Sequence, residues 1–455
     1  MDDPATVSGI QRLLQRLGLH RPELRAWAMF DWANSAMVTT IVSTIFPIYY
    51  LRVAAVELAP AVATQRFAIA TTISLLLVAA VAPFLGAMAD SAPVKKPLLG
   101  MFLALGVLAT AAMFFIHHGD WQLALGLFVL ADIGACGSFI FYDALLRHVA
   151  HDDEIDRVST TAYALGYLGG GILLALNIAW IEHPQWFGLP SGPDLSESQL
   201  TLPTRLAFLS VSVWWLIFAI PLFLRVAEPS IETTGDRSRL PLLARSAVRR
   251  LLDTYQRLRE YKHALLMLAA FLAYNDGIGT IIRLAAIYGA EVGIESGALI
   301  GSILVVQFVG IPCSILFGAL AGWIGAKRTI YAGLTVYLGI TILAYFLQNA
   351  TQFFVLAVLV GLVQGGTQAL SRSLFASMIP RRQSTELFAL FSLSEKFAGI
   401  LGPLFFTATV YLTGSSRNGI LSVIAFFIVG GILLSKVDVE EGRRCAQRID
   451  NQEPV

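Results

Sequence analysis

Long apolar runs of about twenty residues or more follow one another almost without a break along this 455-residue chain. A run of that length, wound as a helix, matches the hydrocarbon thickness of a bilayer. The runs fall at 25–51, 65–89, 97–117, 121–148, 157–182, 203–225, 263–289, 297–322, 328–348, 352–379, 385–413 and 417–437, and predict twelve spanning helices, spans 1 to 12. One polar stretch between them is long, at 226–262. It starts irregularly (EPSIETTGDRSRLP) and then sets Leu243, Val248, Leu251, Leu252, Tyr255 and Leu258 at helical spacing. This predicts a linker with an amphipathic helix on the membrane surface, joining two six-helix bundles; a charge run on a solvated face fits the pattern equally. The expected division is a segment at 1–24, bundles at 25–225 and 263–437, the linker at 226–262 and a tail at 438–455. Near the N-terminus, SGIQRLLQRLGL reads as a short surface helix or a frayed tail. The stretch 183–202, rich in Pro, Ser and Gly, reads as a plain loop. Spans 2, 3, 9 and 12 are nearly featureless and read as lipid-facing scaffold.

The turns carry a repeat. After span 2 the chain reads GAMADSAPVKK (86–96), and after span 8 it reads GALAGWIGAKR (318–328). Gly86 aligns with Gly318, Ala87 with Ala319, Ala89 with Ala321 and Lys95 with Lys327. A duplicated Gly-rich basic turn predicts two homologous halves, an architecture common among secondary transporters. Asp90 is placed to accept backbone hydrogen bonds at a helix end, and Lys95 and Lys96 to hold the turn at anionic headgroups. The second copy has Gly322 in place of Asp90, so only the first forms an acid-centred latch.

Composition agrees with a membrane protein. The chain is 56% hydrophobic and 14% charged, with mean hydropathy +0.68, whereas soluble domains carry roughly 25% charged residues. Most of the 32 Lys and Arg fall on one side of the predicted topology, and only Arg52, Arg66, Arg205 and Arg417 on the other. The positive-inside rule then puts both termini in the cytoplasm. Cys136, Cys313 and Cys445 are too scattered for a disulfide framework or a metal site. There is no phosphate-binding G-x-x-x-x-G-K-[ST] loop, no H-E-x-x-H motif and no cofactor fingerprint. The sequence predicts no enzyme, no cofactor, no metal and no nucleic-acid partner. The expected partners are the bilayer and a small-molecule substrate, with the protein a monomer.

Ionisable residues inside spans are functional candidates by default. Span 1 has Asp31 and Asn34 on one face (FDWANSA). Span 7 has Asn275 and Asp276, followed by Arg283 two turns on. These predict matching walls of one cavity, with a carboxylate at Asp31 or Asp276 carrying a coupling proton. Span 10 carries Gln364, Gln368 and Arg372 at i, i+4, i+8, one polar stripe. Aligning spans 4 and 10 sets Asp143 opposite Arg372, which predicts a gating ion pair or a pairing within each half. Glu395 and Lys396 of span 11 join the gating set with Asp90. Asp132 is the weakest candidate.

FDWANSA (30–36), FLAYNDGIGTII (271–282), FGALAGWIGAKR (317–328) and GGTQALSRSLFASMIP (365–380) resemble the vacuole-effluxer-like branch of the major facilitator superfamily. The resemblance covers nearly the whole chain. It implies an all-α membrane fold of twelve helices in two pseudo-symmetric bundles, alternating access, and efflux of amino acids. Asp31, Asn34, Asn275, Asp276, Gln368 and Arg372 stand in the matching motifs. The chain departs from the pattern in span 4, where Asp143 replaces an amide and Arg147–His148 replace a Pro–acid pair.

The expected function is secondary transport of a small solute, amino acids first, by a bacterial inner-membrane protein. A zwitterion needs an acceptor for its ammonium and a donor for its carboxylate, which Asp31/Asp276 and Arg283/Arg372 supply. The alternatives are an exporter of amphiphiles, drugs or lipids, drawing on Trp27, Phe30, Trp32, Tyr49 and Tyr50, and a non-transporting scaffold or sensor.

Overall fold

A computed structural model describes the chain except residues 1–8, 59, 193, 229–260, 398–400, 414 and 453–455. The expected linker helix falls on 229–260, outside the described residues.

The described chain is helical throughout. A short α1 (Gly9–Arg16) precedes α2 (Pro22–Met37), which opens on a proline, where the missing N–H costs nothing. The first span does not continue as one regular helix. It passes through a π-turn at Val38–Val42, α3 (Ile45–Tyr49) and a second π-turn at Tyr50–Ala54. Pro47 has no N–H to give and crowds the carbonyl one turn back, so regular bonding fails before it. Then follow α4 (Pro60–Ser91), α5 (Lys95–Ala112), α6 (Trp121–Val149), α7 (Ile155–Glu182) and α8 (Glu197–Arg225). The stretch expected as a plain loop instead holds a 3-10 turn at Pro184–Phe187 and the start of α8. A capping box sets that start: Ser196 N donates to Gln199 Oε1 at 2.9 Å.

The second set comprises α9 (Lys262–Glu291), α10 (Ser296–Ile324), α11 (Ala326–Tyr345), α12 (Ala350–Ser377), α13 (Ser384–Phe397), α14 (Leu401–Thr413), α15 (Ser416–Ser422), α16 (Ile424–Ser435) and α17 (Val439–Gln452). Among the described residues, ten helical stretches are long and apolar enough to cross a membrane. The expected count of twelve is not reached on that criterion. Thr, Tyr and the basic start dilute the apolar character of α11. The eleventh predicted span is divided between α13 and α14 around residues outside the description.

Within the first set, α2 packs on α7 and α8, and α5 on α6 and α8. In the second, α12 packs on α10 and α11, and α9 on α16. The sets meet where α4 lies on α13 and where α7 lies on α10 and α12. These two seams use repeat-equivalent helices, as a two-fold relation between halves requires. The expectation that span 2 is lipid-facing scaffold is therefore corrected, since α4 forms half of one seam. From α13 to α14 the neighbours change: α13 packs on α4 and α6 of the first set, whereas α14 packs on α9 and α15 of its own.

Candidate functional site

The polar stripe of α12 links both sets of helices. One turn from its end, Arg372 projects into a cage built wholly from the first set. Its Nη1 donates to Asp31 Oδ2 on α2 at 3.3 Å and to Asp143 Oδ1 on α6 at 3.2 Å. Its Nε donates to Ser159 Oγ on α7 at 3.0 Å, and its Nη2 to the Ser159 carbonyl at 3.2 Å. Aromatic faces fill the remaining directions: the guanidinium carbon lies 5.1 Å from the Trp27 ring, 5.8 Å from Tyr142 and 4.5 Å from Tyr163. The aromatic wall is itself fixed. Trp27 stacks on Tyr142 at 4.5 Å and donates from Nε1 to the Tyr142 carbonyl at 2.9 Å, while Tyr142 Oη donates to Asp31 Oδ2 at 3.1 Å. Arg372, Asp31 and Asp143 are all buried. A buried charge is tolerated only with partners of this completeness.

One turn along the stripe, Gln368 Nε2 donates to Asn275 Oδ1 on α9 at 3.1 Å. Gln364, half-buried, continues it. The stripe thus ties α12 to its own set through Gln368 and to the other set through Arg372. Asp276 is buried, and its carboxylate accepts from the Gly402 backbone N–H at 2.9 Å, in the first turn of α14. Arg283 lies exposed on α9. Asn34 is fully buried, and neither polar atom of its side chain finds a hydrogen bond among the described residues. Such an orphan is uncommon in native interiors. Asp132 pairs within its own set, accepting from the Ser74 hydroxyl on α4.

At the same end of the bundle, the last turn of α4 meets the first turn of α13. Asp90 accepts from Thr385 N at 3.3 Å, Thr385 Oγ1 at 2.8 Å and Glu386 N at 2.9 Å, so it caps the first turn of α13. Lys95 Nζ lies 2.9 Å from Asp90 Oδ1, 3.0 Å from His148 Nε2 and 3.3 Å from Ser384 Oγ. Lys95 is buried, which corrects its expected place at lipid headgroups. Lys96 is also engaged, donating from Nζ to the Phe223 and Val226 carbonyls at the end of α8. The aligned repeat is off by one residue in the structure. Lys327 Nζ donates to the Ser435 and Val437 carbonyls at the end of α16, so its counterpart is Lys96. Lys95 and Ala326 each open their helices and correspond. The second copy therefore lacks both members of the Asp90–Lys95 pair.

This pair yields a stability prediction. Asp90→Ala leaves the Lys95 ammonium buried without its carboxylate and costs about 3–5 kcal/mol. Thermal unfolding in detergent reads the loss, and adding Lys95→Met recovers part of it. An unchanged Tm in Asp90→Ala would show that the pair contributes nothing to stability.

Two sequence candidates, Glu395 and Lys396, stand on α13, with side chains outside the described residues. The aromatic residues invoked for amphiphile export are packing groups here: Trp27, Phe30, Tyr49 and Tyr50 are buried, and Trp32 stacks on Trp214 at 5.6 Å. Sequence reading missed Ser159 and the cage role of Tyr142 and Tyr163. The one available signal was Trp27 four residues before Asp31, on the same helix face.

The chain matches the family described as "Vacuole effluxer Atg22 like" over residues 60–447. It is 34% identical to the uncharacterised MFS-type transporter YxiO of Bacillus subtilis, over 93% of this chain and 96% of that one. The chain belongs to the vacuole effluxer Atg22-like family. Autophagy-related protein 22 of Yarrowia lipolytica is 28% identical over 65% of this chain; the match covers 53% of the fungal protein, so this chain spans about half its length. Among solved structures, the proton:xylose symporter XylE is similar with TM-score 0.66 at 12% identity, over 94% of this chain and 96% of that one. An outward-facing bacterial homologue of the iron transporter ferroportin is similar with TM-score 0.63 at 15% identity, over 91% and 99%. At such identities the likeness shows the fold, which is that of the major facilitator superfamily. This Atg22-like protein is a multi-pass membrane transporter of that superfamily and not an enzyme.

Proposed function

We propose that this protein moves small zwitterionic solutes, amino acids first, out of the bacterial cytoplasm by alternating access. It works as a monomer in the inner membrane with both termini cytoplasmic. The observation that carries the reading is the Arg372 cage: one helix of the second set reaches buried carboxylates of the first at a single end. Together with the Asp90 cap it closes that end, and the change of neighbours from α13 to α14 supports an opening towards the other. This is the outward-open member of a rocking pair.

Asp31, Asn34, Asn275, Asp276, Arg283, Gln364 and Gln368 are the proposed solute contacts, and the unpartnered Asn34 amide supports that role. Asp143, Arg372, Asp90, Glu395 and Lys396 form the proposed gate. When the closed end parts, Asp31 loses Arg372, and a proton replaces the lost cation; Asp276 is the second candidate carrier. The efflux direction rests on the family's description alone.

Proteoliposomes loaded with single amino acids test the reading. The expected result is saturable counterflow of at least one amino acid and gradient-driven uptake in an imposed pH gradient. Substituting the coupling carboxylate, Asp31→Asn or Asp276→Asn, abolishes the gradient-driven component, and Asp276→Asn, which leaves the Arg372 cage intact, spares counterflow. Absence of exchange across the amino acids, with exchange of another solute class, would reject amino acids as substrates. Unchanged pH dependence in both variants would reject proton coupling.

A further inference from the structure

We infer that the cage holding Arg372 is a receptor for guanidinium-bearing solutes, filled in this state by a side chain of the protein itself. The inference rests on the alternating-access reading and specifies the cationic group that the same site accepts. Every wall of the cage belongs to the first set of helices: Trp27 and Asp31 on α2, Tyr142 and Asp143 on α6, Ser159 and Tyr163 on α7. The occupant alone belongs to the second set, on α12. Any motion that parts the two sets at this end withdraws the occupant and leaves the walls standing together.

The walls are specific for the shape of the occupant. A guanidinium is a planar cation with five donors directed in a fork. Here Nη1 meets two carboxylates, Nε meets a hydroxyl and Nη2 meets a carbonyl. The Tyr163 ring, 4.5 Å from the guanidinium carbon, supplies a π-surface that weakly hydrated planar cations prefer. A quaternary ammonium would use the rings and waste the acceptors; a primary ammonium would use the acceptors and fill the rings poorly. The geometry is held without the occupant, because Trp27, Tyr142 and Asp31 are linked to one another by a stack and two hydrogen bonds. Pre-set geometry of this kind lowers the ordering cost of a replacement ligand. Withdrawal of Arg372 therefore exposes two carboxylates in a ready-made guanidinium site, and a solute that occupies it holds the halves apart by competing with the gate. Arg372 acts as a tethered mimic of that solute.

The test is chemical complementation of the full-length protein with the occupant removed. Arg372→Ala is purified in detergent, and its Tm is followed against ethylguanidinium, tetramethylammonium and urea at low millimolar concentrations. Ethylguanidinium is expected to give a saturable rise of about 2–3 °C in Arg372→Ala. Wild type, whose cage is filled, shows none, and Arg372→Ala/Asp31→Asn loses most of the rise. No rise with ethylguanidinium, or an equal rise with tetramethylammonium or urea, overturns the inference. If Arg372→Ala fails to fold, the wild type carries the test. Alkylguanidinium should then inhibit counterflow of a transported solute at least tenfold more strongly than the matching alkylammonium, and equal inhibition overturns it. Solute counterflow that persists with no guanidinium effect defeats this inference alone. The absence of counterflow of any solute defeats the transport reading, while the Tm measurement still reports on the cage.

Discussion

Arg372→Gln is expected to abolish solute exchange and to cost about 3–5 kcal/mol of stability, because it strips a buried guanidinium from the carboxylates built around it. The two partner variants are expected to differ from it. In Asp143→Asn, Arg372 keeps Asp31, the Ser159 oxygens and the aromatic faces, so the loss at the guanidinium is that of one charge-assisted hydrogen bond, about 1.5–3 kcal/mol. In Asp31→Asn, the Tyr142 hydroxyl also loses its charged acceptor. The order of damage is therefore Arg372→Gln greatest, then Asp31→Asn, then Asp143→Asn. Exchanging the charges, Asp143→Arg with Arg372→Asp, restores only part of the exchange activity, because the new carboxylate at 372 faces Asp31. A two-residue gate would instead be restored fully. Counterflow rates and Tm across these four variants decide the matter. Equal damage from Asp143→Asn and Arg372→Gln would sink the idea of one guanidinium shared between two acids.

Gly86→Ala is expected to open the closed end, and Gly318→Ala to do little. The two glycines stand at equivalent places in the repeat, but different atoms oppose them. A Cβ on Gly86 would lie 2.9 Å from Glu386 Cα and 3.0 Å from the Thr385 carbonyl oxygen. Both are backbone atoms in the first turn of α13, so nothing short of separating α4 from α13 relieves the clash. That separation also stretches the Asp90 bonds to Thr385 and Glu386. At Gly318 the Cβ would meet Thr160 Oγ1 at 2.2 Å, a side-chain atom that rotates away at the loss of its bonds to the Asp156 and Arg157 carbonyls, and Thr160 Cβ at 3.2 Å, which a shift of a few tenths of an ångström relieves. Overpacking against a fixed backbone costs about 1–3 kcal/mol, enough to shift a two-state population by roughly 5–150-fold. In a cysteine-free background, Ser373→Cys places a thiol on α12 at a fully buried position of the closed end. Its maleimide labelling is expected to be about tenfold faster with Gly86→Ala than with Gly318→Ala, in line with that shift. Equal rates would reject the seam between α4 and α13 as the element that sets closure.

Read from its residues, the chain announces its membrane character and its duplication, because both are local properties. Twenty apolar residues in a row span a bilayer whatever surrounds them. The ten stretches meeting that condition in the structure lie on ten of the predicted runs. The turn signals at Gly86 and Gly318 likewise mark a repeat without reference to contacts. The candidate charges were legible for the same reason: an ionisable group inside an apolar run is conspicuous. The stripe of Gln364, Gln368 and Arg372 followed from helical spacing alone.

Which groups meet was not legible, since pairing joins residues hundreds of positions apart. Only the packing of α12 on α7 brings Arg372 to Ser159, and only the seam of α4 and α13 brings Asp90 to Thr385. Lys95 looks from sequence like its neighbour Lys96, yet one is buried against Asp90 and the other caps α8. They stand a helical 100° apart, and the choice depends on where α13 lies. Tyr142, Tyr163 and Ser159 carry no sequence mark of a site, since aromatic and hydroxyl residues are ordinary in packed helices. By itself the sequence determined a duplicated bundle of membrane helices with buried charges, because hydrophobic length and periodicity act within a segment. The tertiary structure alone decided that two of those charges, Asp31 and Asp143, converge on one guanidinium, because that convergence is a property of how two halves meet.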